Sequence, residues 1–437
     1  LIQSGIDVAT PGDTVNAGSG IFNENILLNK AVTLKGNGTT STTIKPTVSC
    51  TGNGITISSP NANVNDLTVK DFNYGITTSS STISLYNVES ILNCNSGINT
   101  SNGTNGLTMV KCKLNDNQSS GWRAGTADNV NNVLMDSCEA KGNSSASNGF
   151  GIVIFASTSV TNVFDNITIK NSDFSNNLKK GMYFEKLRNA LIDNVIIDNS
   201  GTDASYGNNI GVDINLKYGN YSNIVIQNSS ITNCGSTGTA GDVNNPAALA
   251  IKARDDAPSY NSDPASLTGF ILKNCFVTGP VNGLRFGEFN KTNNSPTGNT
   301  VIENNFGGAY SNKAIVNKTA NNINVSCNWY GSASAPAVIA LHSSLINFIP
   351  YLTDGTDDNP GAPGFQIVAG SCNGVGPVKN ITQNITYINI QSAVTPANNG
   401  DTIEVSEGTY NEQVIVNKGL LIKGVGASKP VVDFTGT

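Results

Sequence analysis

The chain has 437 residues and a mass of 45.5 kDa, with 25 Lys+Arg against 31 Asp+Glu and a net charge of -6. That acidic balance argues against an electrostatic grip on nucleic acid or on an anionic membrane surface, and no run approaches the roughly 18 apolar residues of a membrane span. Charged residues are only 13% of the chain, so solubility rests on uncharged polar groups, chiefly 65 Asn, while recurrent Ile and Val argue against disorder.

At the N-terminus, Ile2, Ile6 and Ala9 fall on one face of a short helix, expected to cap an apolar core. Behind it come GDT at Gly12, GIFNEN at Gly20 and the strands ILLNK and AVTLKG at Ile26 and Ala31. Leu1 is not an initiator Met, and the chain is expected to be a processed or excised piece.

From Leu107 a ladder of short alternating strands begins. Its members are LTMVKCKLNDN at Leu107, NVLMDSCEAKGN at Asn132, NITIKNSDFSNN at Asn166, ALIDNVIIDNS at Ala190, NIVIQNSSITNC at Asn223, GFILKNCFVTG at Gly269, NTVIENNFGG at Asn299 and NINVSCNWYG at Asn322. One register position is read as Cys112, Cys138, Ser172, Val195, Ser229, Cys275, Asn305 and Cys327, at intervals of 22 to 46 residues. Gly-led strands follow several rungs, GIVIF at Gly151, GMYFE at Gly181, GVDIN at Gly211 and GLRFG at Gly283. This periodicity indicates a β-solenoid, whose single coils cannot bury enough surface alone and are stable only stacked. Asn at strand ends suits left-handed turn geometry, and equivalent Asn amides are expected to bond to one another between coils.

These stretches, with the Ile2–Gly38 opening, resemble the right-handed parallel β-helix of the pectin-lyase-like fold, specifically its secreted bacterial repeat proteins. The resemblance implies an all-β chain, with lyases, glycosidases and epimerases among its functions. Lyase chemistry needs carboxylates to hold calcium and a Lys or Arg to take a proton. Outward positions of the Gly-led strands place Tyr183, Glu185, Asp213, Asn215, Lys217, Lys252, Arg254 and Arg285 on successive coils, with RDDAPSYNSD from Arg254 positioned to overhang them. Tyr183, Glu185, Asp213, Lys252 and Arg285 form the candidate carbohydrate site, although a solvated face with charges pairing across coils is the reading adopted for this patch. No catalytic motif of the family is legible, and the single His, His342, lies far along the chain.

NWYG at Asn328 resembles the closing motif of such solenoids, with Trp329 and Tyr330 large enough to plug the core. The Pro-Gly spacing after Pro350 ends strand structure. In TDGTDDN, Asp354, Asp357 and Asp358 are a candidate calcium site without full EF-hand spacing. The eight cysteines show no CxxC and so no zinc signature. Cys112 and Cys138 read as stacked thiols, and Cys327 with Cys372 as a candidate disulfide joining exit to junction.

The opening then recurs. Ile390–Gly426 aligns with Ile2–Gly38 at an offset of 388, without a gap, with 15 identities in 37 positions. The expected organisation is a β-helix unit over 1–350, a junction over 351–388 and the beginning of the next repeat over 389–437. The expected function is a non-enzymatic structural unit of an extracellular fibre or adhesin stalk, with further copies end to end as partners. The alternative is a polysaccharide-binding or lyase-like solenoid using the charged face, with extracellular polysaccharide as its partner. No cofactor other than calcium is expected, and the chain is read as secreted.

Overall fold

In the computed structural model, residues 1–145, 148–156, 163–239, 241–368, 371, 377–387 and 389–434 are described. Alternation produces two long sheets of stacked parallel strands, one running from Thr14–Asn16 to Thr300–Ile302 and the other from Ile26–Leu28 to Lys313–Asn317. In the second sheet, inward positions align as Ile55, Ile76, Ile98, Trp122, Ile152, Met182, Val212, Leu249, Leu284 and Ile315, all buried. The first sheet supplies the facing column Leu85, Met109, Met135, Ile169, Ile192, Ile226 and Leu272. Each coil thus buries its apolar rung against the coils on either side, which is why stacking is obligatory.

Polar groups continue the stacking inside the turns. The Asn93, Asn117 and Asn143 amides donate to the next carbonyl oxygens, on Asn117, Asn143 and Asn177, at 3.0, 3.3 and 2.9 Å, and the same oxygens accept backbone N–H groups. Asn132, Asn166, Asn171, Asn194 and Asn223 occupy left-handed backbone geometry at bends, as their short side chains allow. The Gly-led strands have a steric reason too: a Cβ on Gly181 would lie 2.9 Å from the Gly211 carbonyl of the next coil. The ladder position differs from the sequence reading at its end. The register continues from Cys275 through Asn304 to Asn328, not through Asn305 and Cys327.

The first cap is helix α1 (Ile2–Val8), which buries Ile2 and Ile6. At the exit Tyr330 enters the core, its ring 5.7 Å from Phe306 and 4.3 Å from His342, while Trp329 stays half-buried outside it, so only one of the two expected plugs fills that role. Helix α2 (Ala335–Ala340) follows, and the tail returns along the wall, where Phe365 exchanges hydrogen bonds with Asn274 and packs on Phe276. Residues from Val378 to Tyr410 form a separate apolar cluster around helix α3 (Ile390–Val394).

The two caps are built alike. The Glu24 carboxylate accepts the amides of Ile2 and Gln3, and Glu412 accepts those of Ile390 and Gln391. Lys30 donates to the carbonyls of Ile6, Asp7 and Ala9, and Lys418 to those of Val394, Thr395 and Ala397. A carboxylate at a helix start and an ammonium at its end meet the unpaired backbone groups there, which explains why these residues recur at the 388-residue offset. A disulfide that the sequence reading missed joins Cys50 to Cys94, whose Cα atoms are 5.3 Å apart. Cys112 and Cys138 are buried free thiols on adjacent coils. Cys372, and with it the pairing expected for Cys327, lies outside the described residues.

Candidate functional site

The outward column of the second sheet reads Leu27, Thr56, Thr77, Asn99, Arg123, Val153, Tyr183, Asp213, Ala250, Arg285 and Val316. The early coils carry apolar, hydroxyl and amide groups with one cation, Arg123. From Tyr183 onward the face becomes ionic, and here the expected solvated coat is corrected. Tyr183, Glu185, Asp213, Lys252 and Arg285 are all buried, Asp213 and Arg285 with no exposure at all. The irregular segments between rungs cover them. Tyr206 lies over Lys179 and Lys180, Asn245 accepts from Arg285, and Tyr260 of the overhanging RDDAPSYNSD segment stacks 4.7 Å from Arg254.

Asp213 is the centre. Lys180 Nζ is 2.5 Å from its Oδ2 and Lys252 Nζ is 3.0 Å from its Oδ1, so two ammonium groups share one carboxylate. Lys252 also faces Glu288 at 3.7 Å, and Arg254 joins Glu288 to Asp256, which it grips with two donors at 2.5 and 2.8 Å. Beside this group, Tyr183 donates to Glu185 at 2.6 Å, Asn215 donates to the Tyr183 oxygen, and Lys217 pairs with the same carboxylate. Arg285 donates to the carbonyls of Asn245 and Gly287 and leaves Nη2 without a hydrogen-bond partner among the described residues.

The electrostatics follow from burial and sharing. Burial pulls Lys252 down to about 8 against the opposing pull of Asp213 and Glu288. Burial also acts against the charge on Lys180, but Asp213 outweighs it and raises that ammonium. Desolvation pushes the Asp213 carboxyl up, and its two lysines more than reverse this, holding it ionised. Burial first, and then Glu185, keeps the Tyr183 hydroxyl protonated. A desolvated lysine poised near neutrality beside an unsaturated arginine can take a proton from carbon while neighbouring cations neutralise an acid group.

Sequence reasoning does not find Lys180, Asp256 and Glu288: Lys180 opens its strand one residue before the glycine that marks it, and the other two lie in covering segments without periodicity. Asp213 and Glu185 are occupied by lysines rather than open to a cation, which alters the roles expected for them. Asp354 and Asp357 accept from nearby backbone amides, with Asp358 in the same segment, and among the described residues no three such side chains gather as a metal-ligand set. His342 belongs to the exit core, where its ring stacks on Phe348 at 4.2 Å.

No family model matches the sequence, and no curated protein matches it. Among solved structures, the PL6 family alginate lyase AlyGC matches with a TM-score of 0.53 and 12% identity, over 98% of this chain and 66% of that one. The fold is a pectin-lyase-like right-handed parallel β-helix. A single-substitution mutant of AlyGC gives a TM-score of 0.50 at 12% identity, with the same coverage of both chains. The PL6 family polysaccharide lyase Pedsa3628 from Pseudopedobacter saltans gives 0.47 at 15% identity, over 86% of this chain and 96% of that one. The expected non-enzymatic fibre or stalk unit is corrected accordingly. The structure matched across nearly the whole chain is that of a polysaccharide-cleaving protein, and the supposed solvated coat is a desolvated ionic cluster.

Proposed function

We propose that this β-helix binds an acidic polysaccharide on the outward face of its second sheet and cleaves it by β-elimination. The observation that carries the reading is the pair Lys180 and Lys252 sharing the buried Asp213. A scaffold gains little from such a group, since well-packed apolar residues in its place are often as stable or more so, and strongly shifted groups gather at functional sites. In the proposed reaction neutral Lys252 takes the proton from the carbon next to the uronate carboxylate, whose charge Arg285 and Lys180 offset. The C–H electron pair forms the new carbon–carbon double bond, the glycosidic C–O bond breaks, and the protonated Tyr183 hydroxyl supplies the leaving oxygen with its proton.

The test is release of unsaturated sugar ends from a panel of uronic-acid polymers. Turnover that is lost in Lys252→Ala and in Arg285→Ala supports the proposal, and no release from any uronate polymer overturns it. The same reading places the protein outside the cell, where such polymers occur. The duplicated cap supports a β-helix unit over 1–350, a junction over 351–388 whose last strands, from Val378, already pack into the second core, and a repeat beginning at 389, with units adjoining end to end.

A further inference from the structure

We infer that the open groove lined by Tyr74, Asn95, Arg123, Phe150, Val153 and Phe155 is a subsite for one acidic sugar unit, with Arg123 as its carboxylate anchor. The inference rests on the reading of the ionic cluster as a polysaccharide site. The chain has four arginines. Arg188 pairs with Asp165, Arg254 with Asp256, and Arg285 lies inside the cluster. Arg123 forms no ion pair among the described residues and stands outside the cluster: its Nη1 donates to Asn99 at 3.0 Å and its guanidinium lies 5.7 Å from the centre of the Phe155 ring. A half-buried guanidinium held by an amide and a ring, and engaged in no ion pair among the described residues, is pre-organised for a planar two-oxygen acceptor.

The rest of the groove suits a sugar. Tyr74 and Phe155, both half-buried, offer apolar ring surface to sugar C–H groups, and Asn95 fixes the Tyr74 hydroxyl with a 2.9 Å hydrogen bond. The cavity, about 230 Å³, has room for one ring and not for a chain, so neighbouring units of a polymer would lie along the sheet. Its wall is continuous with the ionic cluster, because Phe150 stacks on Tyr183 at 5.9 Å and Phe155 meets the same ring edge-on at 6.2 Å. Arg123, Val153, Tyr183 and Asp213 stand on successive strands. At about 4.8 Å per strand the anchor is roughly 15 Å from Asp213 along the helix axis, within the span of a short oligosaccharide.

The experiment is calorimetric titration of the full chain carrying Lys252→Ala, which prevents turnover, with a two-unit oligouronate, a six-unit oligouronate and the carboxyl-reduced six-unit oligomer. Each is repeated with Arg123→Gln added. The longer oligouronate is expected to bind more tightly than the shorter, and Arg123→Gln to weaken it by about ten- to a hundredfold, the size of a lost charge-assisted hydrogen bond. The carboxyl-reduced oligomer should respond far less. Unchanged affinity in Arg123→Gln overturns the subsite and leaves the reading of the cluster intact, whereas no binding of any oligouronate overturns both. Arg123→Lys keeps the charge without the fork and is expected to restore part of the loss; should Arg123→Gln fail to fold, Arg123→Lys supplies the comparison.

Discussion

Two lysines on one buried aspartate set the chemistry at the scale of single residues. Lys252 is the one that burial brings down to about 8. If it is the base it acts only when neutral, so kcat/KM on a uronate polymer should rise with pH and level off above about 8. A pH–rate profile that falls through this range contradicts the assignment. Asp213→Asn removes the carboxylate both ammonium groups depend on, and we expect a loss of about 3–5 kcal/mol in urea unfolding. The buried asparagines respond to a different force. Asn143→Ala strands the Asn117 backbone N–H and one N–H of its side-chain amide, whose other N–H still meets the Ser90 carbonyl, with an expected cost of about 1–3 kcal/mol, read as a lowered midpoint of thermal unfolding.

Elements at the two ends of the solenoid show how an open core is closed. Tyr330 fills the exit between Phe306, His342 and Phe348, so Tyr330→Ala should cost about 3–5 kcal/mol, as large aromatic truncations in cores do. Burial holds the His342 imidazole down at about 4, below its ordinary 6.5. The unfolded chain therefore binds the proton first as pH falls. The stability this neutral ring confers is complete above about 6.5 and is lost progressively toward about 4. Denaturant titrations across that window should show the slope, and His342→Phe should flatten it. Strand alternation, the Gly-led strands and the cap helix were all legible because they follow period 2 or 3.6 in short windows. The outward series Tyr183, Asp213 and Arg285 was legible for the same reason. Its burial was not, since the covering segments between rungs carry no period. The slip from Asn304 to Asn305 arose because adjacent asparagines fit the turn equally well by pattern. Cys50 and Cys94 are 44 residues apart, two coils of ordinary length, and only the path of the intervening turns brings them together.

Among the described residues there are two principal apolar cores, one reaching from Ile2 to Tyr351 and the other from Val378 to Tyr410. Small clusters with their own caps unfold with their own free energies, so calorimetry should resolve a minor transition from the main one. Glu412→Ala, which removes the clamp on α3, should lower only the minor transition, and Glu24→Ala only the main one. A single transition shifted equally by both variants would show that the two caps act as one unit.

On the proposed reading a uronate unit reaches the cluster around Asp213. A crystal structure of Lys252→Ala soaked with a six-unit oligouronate tests it directly. A sugar carboxylate is expected within hydrogen-bond distance of Arg285 and Lys180, with the segment carrying Tyr206 displaced to admit it. An oligomer bound elsewhere, with the cluster still closed and its ion pairs unchanged, would contradict it.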